Sequence, residues 1–161
     1  MTQVAILMGS ASDRSEMDGC VEILRELGIA FRIDVASAHR SPAKVARILA
    51  ESEKEGVGVF ICVAGHAAHL AGVVAAHTTR PVVGVPTASS SLSGWDALLS
   101  TAMMPPGIPV ATMALGSSGG RNAALFAAAV LALADSALAA RLSSYRSKQT
   151  GKIEAIATER G

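Results

Sequence analysis

Aromatic side chains are almost missing from this sequence, which has one Trp, one Tyr and three Phe in 161 residues. A protein that holds single-stranded nucleic acid stacks bases on such rings, so a stacking platform is excluded. Charge is scarce as well: charged residues make up 17% of the chain, the formal net charge is +1, and the two signs are scattered. No basic stripe exists to follow a phosphate backbone. The two cysteines, Cys20 and Cys62, are isolated within apolar periodic segments. That excludes a disulfide framework and predicts two buried, reduced thiols. Long apolar runs are absent too. The longest, residues 123–134, spans 12 positions, against about 20 for a membrane helix. A strand-like run, Gln3-Val4-Ala5-Ile6-Leu7-Met8, starts almost at the first residue and leaves no room for a signal peptide, so a cytoplasmic protein is expected.

Small apolar residues are what the chain has in quantity. Half of it is hydrophobic, and a chain of this length suits one domain that buries roughly 70% of its unfolded surface. With so few rings the core must come from Ala, Val, Leu and Ile, which let backbones approach closely. A surface this poor in charge also points to partial cover by other subunits.

Short continuous apolar runs occur at residues 4–8, 31–36, 57–64, 81–85 and 109–115. They read as parallel strands buried on both faces. Helical spacing separates them. Met17, Cys20, Val21, Leu24 and Leu27 form one apolar stripe, closed by Gly28 in the usual position after a helix. Ser41 and Pro42 make an N-cap and first-turn pair for a second helix, with Val45, Ile48 and Leu49 on its apolar face. Regular alternation of strand and helix predicts right-handed crossovers and an open, doubly wound, flavodoxin-like parallel sheet of about five strands in three layers. A closed eight-stranded barrel needs about 250 residues and is excluded by length. Residues 1–161 are read as a single catalytic domain. Within it, residues 135 to about 157 form an additional C-terminal helix that packs on a neighbouring subunit or caps its own.

Open parallel sheets bind ligands beyond the carboxyl ends of their strands. Three such loops carry small or polar residues: Gly9-Ser10-Ala11-Ser12-Asp13, Ser37-Ala38-His39-Arg40-Ser41-Pro42, and Gly65-His66-Ala67-Ala68-His69-Leu70-Ala71-Gly72. The first offers hydroxyls and backbone N–H groups for an anion, but it is neither a Walker loop nor a dinucleotide fingerprint. Asp13 reads equally as a helix N-cap or as an acceptor for ribose hydroxyls. In the second loop Arg40 supplies a planar donor fork for phosphate, with the Ser37 hydroxyl beside it. His39 is the side chain there able to exchange protons near neutral pH. In the third, His66 and His69 are spaced as metal ligands are, yet no Asp, Glu or Cys lies nearby in sequence to complete a set, so no metal site is expected. His69 is placed in the pocket wall instead. The segments Ser91-Leu92-Ser93-Gly94-Trp95-Asp96 and Met103-Met104-Pro105-Pro106-Gly107 read as structural or pocket-wall loops around a short helix.

These three loops, together with Pro81-Val82-Val83-Gly84-Val85-Pro86, Met104-Pro105-x-Gly107-Ile108-Pro109-Val110 and Asn122-Ala123-Ala124, resemble the N5-carboxyaminoimidazole ribonucleotide mutases of purine biosynthesis. The motifs keep one order from about residue 4 to residue 134. The resemblance implies a flavodoxin-like subunit of a homo-octamer with active sites where subunits meet. It implies an isomerase without metal or organic cofactor, which moves a carboxylate from the exocyclic amine of its ribonucleotide to carbon 4 of the imidazole. By the same resemblance His39 is the catalytic proton-transfer residue, and Ser10, Asp13, Ser37 and Arg40, with Ser12 in the same loop, hold the ribose phosphate. Ala64, Gly65, His69 and Leu70 belong to the loop that encloses base and CO2. Three positions depart from the family pattern: Ser41 stands for Thr, His66 for Gly and Ala71 for Pro. His66 keeps open a second reading, the related CO2-using aminoimidazole ribonucleotide carboxylase. A non-catalytic nucleotide-binding module on the same fold is the third.

Overall fold

The computed structural model describes residues 3–156. Five parallel strands, β1 (Val4–Met8), β2 (Phe31–Val35), β3 (Val59–Ala64), β4 (Val82–Pro86) and β5 (Ala111–Thr112), form one sheet in the order β2-β1-β3-β4-β5. This is the flavodoxin-like arrangement, with the order reversing between β1 and β3. Alternate residues of the central strands serve opposite faces, as the strand period of two requires. Val4, Ile6 and Met8 pack with α1 (Asp18–Glu26), α5 (Gly116–Ala132) and α6 (Ser136–Glu154). Ala5 and Leu7 face α2 (Pro42–Lys54) and α3 (Leu70–Ala75).

The three central strands are the continuous apolar runs that burial on both faces demands. The outer two differ from expectation. β2 is an edge strand, only half-buried, and Arg32 on it pairs with Asp34, Glu51 and Glu55. β5 contributes two residues where a seven-residue run was expected. Pro109 has no N–H to give to a ladder, and by Leu115 the chain is already the N-cap of α5. Val57 is buried, but its N–H bonds Ser52 O rather than a strand, so β3 begins two residues late.

The first helical segment is split. Residues Ala11–Met17 form a 3-10 segment that leads into α1. Gly28, at φ 65°, closes α1 with two bonds, its own N–H to Arg25 O and that of Ile29 to Leu24 O. This is the Schellman pattern, in which a left-handed residue lets the last carbonyls find donors. Asp135 caps α6 through the Leu138 N–H, Leu138 and Leu142 bury into the chain's own core, and Arg141 Nε donates to Leu27 O. The start of α6 therefore caps its own subunit. The expected end at Ala157 lies outside the described residues, and no described helix is long and apolar enough to cross a membrane.

A helix–sheet layer this poor in rings closes on glycines. A Cβ at Gly84 in β4 would stand 2.3 Å from Thr101 Cγ2 of α4 (Trp95–Ala102) and 3.0 Å from Val110 Cγ1. Gly84→Ala should therefore cost about 1–3 kcal/mol through overpacking, read as a lower denaturation midpoint in urea. Cys20 and Cys62 are both free and buried. Burial pushes the Cys20 thiol up to about 12 and Cys62 upward as well, so neither forms a nucleophilic thiolate at neutral pH. A thiol reagent should modify neither in the native protein and both after unfolding in guanidinium.

Candidate active site

The reversal of strand order sends the chain after β1 to one face of the sheet and the chain after β3 to the other. The crevice left between them is a cleft of about 670 Å³ at the carboxyl ends of the strands. All ten residues expected at the site line it: Ser10, Ser12 and Asp13 from the first loop, Ser37, His39 and Arg40 from the second, and Ala64, Gly65, His69 and Leu70 from the third.

The first loop is held on itself. The Ser10 hydroxyl accepts from the Ser12 N–H at 3.3 Å, while Asp13 Oδ2 accepts from the Ser10 N–H at 3.1 Å. This reciprocal capping box makes Ser10 the N-cap; Asp13 stands three residues further on, not at the cap itself. Asp13 is only 5% exposed. Burial pushes its carboxyl above the usual carboxylate range, partly opposed by the Ser10 and Thr87 hydrogen bonds.

In the second loop the expected cap is also rearranged. Ser41 and Pro42 do start α2, but the Ser41 hydroxyl makes no helix-capping bond. It accepts from the Ser37 N–H at 3.0 Å and lies 3.2 Å from Ser37 O, which braces the turn. The Ser37 hydroxyl accepts from the Arg40 N–H at 3.2 Å, and Arg40 Nη2 donates to Gly9 O at 3.2 Å. The guanidinium is thereby laid across the mouth of the first loop, with donors left over for an anion. His39 and His69 meet although 30 residues apart. His39 Nε2 lies 2.7 Å from His69 Nδ1, and the rings sit edge to face at 78°. One nitrogen of that contact must carry a proton and the other accept it, so the pair shares a proton at the cleft surface.

The third loop takes a conformation that ordinary residues avoid. His66 and Ala68 have φ of 55° and 44°, in the left-handed region that favours glycine. The loop is pinned by the Ala68 N–H on Gly65 O at 3.0 Å, by the Ser100 hydroxyl on Ala67 O, and by Ser89 Oγ at 3.3 Å from His66 Nδ1. Among the described residues no three of His, Cys, Asp and Glu are grouped as metal ligands.

Two polar residues at this site were not anticipated from the sequence. Thr87 and Ser89 follow β4, Ser89 lines the cleft, and the Thr87 hydroxyl reaches Asp13 Oδ1 at 3.5 Å. The signal that would have found them is the one that found the others, because Thr87-Ala88-Ser89-Ser90 is also a polar loop at the carboxyl end of a strand. The segments 91–96 and 103–107 contribute no residue to the cleft lining.

Residues 3–152 match the family model for AIR carboxylase. The chain is 51% identical over 150 residues to the N5-carboxyaminoimidazole ribonucleotide mutase of Brucella melitensis, covering 93% of each. It is 49% identical over 152 residues to the mutase of Methanocaldococcus jannaschii, covering 94% of this chain and 93% of that one. Among solved structures, Treponema denticola PurE superposes with a TM-score of 0.86 at 32% identity, covering 94% of this chain and 93% of that one. On these matches, this chain belongs to the AIR carboxylase family.

Proposed function

We propose that this chain is the isomerase of purine biosynthesis that converts N5-carboxyaminoimidazole ribonucleotide to 4-carboxy-5-aminoimidazole ribonucleotide. The mutases named above support the reaction. The observation that carries its chemistry is the His39–His69 pair, facing a loop with phosphate-type donors across one cleft.

The reaction moves one carboxylate within one molecule. The bond from the exocyclic nitrogen to the carboxylate carbon breaks, a bond from ring carbon 4 to that carbon forms, and the ring C–H proton is exchanged for a proton on nitrogen. No electrons change hands and no group is added, so the chemistry consumes neither a redox cofactor nor ATP. What it needs is one proton carrier and a wall that keeps CO2 from bulk water. His39 is assigned the proton, delivered to the carbamate nitrogen and then recovered from ring carbon 4. His69 is the partner that holds the His39 ring in place by sharing its proton. Arg40 and the hydroxyls of Ser10, Ser12 and Ser37 are assigned to the ribose phosphate, and Asp13 to ribose hydroxyls. Ala64, Gly65 and Leu70 wall in the base and CO2.

The chain is further read as a subunit of a homo-octamer. Leu92, Trp95, Leu99 and Met103 around α4 are exposed at 61%, 65%, 54% and 79%, and such an apolar surface favours cover by another subunit. A cytoplasmic setting is consistent with two free thiols. The second reading, a carboxylase that takes free CO2, is favoured by His66, whose imidazole lines the cleft where the mutase pattern has glycine. A binding module would have no use for a paired proton carrier.

Side-by-side assays separate the readings. The purified protein should convert the N5-carboxy substrate without ATP and use aminoimidazole ribonucleotide with physiological CO2 poorly; the opposite preference would establish the carboxylase, and turnover of neither the binding module. His39→Asn should lower kcat by at least about 10²-fold, the scale of a lost general acid–base group, while ligand binding persists. Full activity in that variant would remove His39 from the mechanism.

A further inference from the structure

Thr87 and Ser89 join the first and third loops through side chains alone. The Thr87 hydroxyl lies 3.5 Å from Asp13 Oδ1, Thr87 Oγ1 lies 3.3 Å from Ser89 Oγ, and Ser89 Oγ lies 3.3 Å from His66 Nδ1. Thr87 is buried and has one hydroxyl proton to give. An ionised carboxylate can only accept, so Thr87 donates to Asp13. The same Thr87 proton also faces Ser89 Oγ, so with Asp13 ionised the Thr87 hydroxyl is turned to the carboxylate. Ser89 Oγ bridges Thr87 Oγ1 and His66 Nδ1 at 3.3 Å each.

The backbone makes room for this line. A Cβ on Gly65 would stand 1.8 Å from Ser89 Oγ and 2.7 Å from Thr87 Oγ1, so only glycine lets the path through. Next to it, His66 keeps a side chain on a left-handed backbone where glycine would be unstrained. The contact with Ser89 is what that side chain makes there.

We infer that Thr87, Ser89 and His66 form a positioning chain that holds Asp13 as an ionised hydrogen-bond acceptor for the ligand. Asp13 in turn fixes Ser10 through the capping box, so the chain sets the shape of the first loop. The inference rests on the mutase reading only for its choice of ligand, a ribonucleotide with hydroxyls to donate.

The charged groups around Asp13 determine the sign of the pH effect. Burial and Glu16 push its carboxyl up, while the bonds from Ser10 and Thr87 and the charge of His66 pull it down. Arg40, His39 and His69 line the same cleft, and Asp96 of α4 lies within electrostatic reach of His66. Removing the Thr87 hydroxyl deletes a downward influence, so Asp13 takes up its proton at higher pH. Binding that requires the carboxylate is then lost earlier as pH falls.

The test is calorimetric binding of aminoimidazole ribonucleotide from pH 5 to 8, run beside turnover of the N5-carboxy substrate. Thr87→Val should bind about tenfold more weakly at pH 6, the scale of one hydrogen bond to a charged group. Its acid limb of binding should move to higher pH, with kcat at saturation within about twofold. Thr87→Ser should restore both affinity and acid limb. Ser89→Ala, at an exposed position, should shift the limb in the same direction by less. His66→Gly should weaken binding while its melting midpoint holds or rises, which a purely structural role would not produce. An acid limb and affinity unmoved in both Thr87→Val and Ser89→Ala would overturn the chain. Wild-type binding without turnover would overturn the mutase reading alone, and no wild-type binding would overturn both.

Discussion

Everything at this site depends on the reversal of strand order between β1 and β3. Parallel strands with right-handed crossovers place successive helices on one face until the chain returns to the other side of its starting strand. Here α1 leaves β1 on one face, and α3 leaves β3 on the other. The two loops must part, and the gap between them cannot be filled by either helix. The cleft is a consequence of topology before any particular side chain is considered, and the side chains then decide what can occupy it.

The shortage of aromatics and the character of the cleft are connected. Layers built from Ala, Val and Gly let strands, helices and loops pass within contact distance of one another. The same close approach that makes Gly84 intolerant of a methyl group lets Thr87 and Ser89 pass beside Gly65. A bulkier core would hold the loops further apart, and the side chains of four separate strand ends could not reach each other. Close packing also keeps water away from Asp13, which raises the cost of its charge and makes the donors around it matter.

Much of this was legible in the sequence, and the parts that were not have physical reasons. The apolar runs at 4–8, 57–64 and 81–85 located the three central strands to within two residues, because burial on both faces leaves an uninterrupted apolar signature. The edge strands were over-read, since an apolar run does not reveal that one side has no neighbour. Asp13 stands three residues past the cap because a 3-10 segment capped by Ser10 begins there, while Ser41 keeps the expected N-cap position but turns its hydroxyl to brace the Ser37 turn. The strand-end rule located the first three loops, and it applied equally to the fourth. The His39–His69 contact was beyond any local pattern, because it depends on how far two loops lean across the crevice.

The left-handed backbone at His66 shows how position and side chain oppose each other. A non-glycine residue there costs of order 1–3 kcal/mol unless its surroundings compensate. The surroundings do so from three sides: the turn closed on Gly65, the Ser100 hydroxyl on Ala67 O, and the Ser89 contact with the imidazole itself. Two of these would serve a glycine equally well. Only the third requires histidine, and it leads through Thr87 to the one buried carboxylate at the site. The strain is therefore matched to a specific polar connection rather than to the fold, since the loop would close without it.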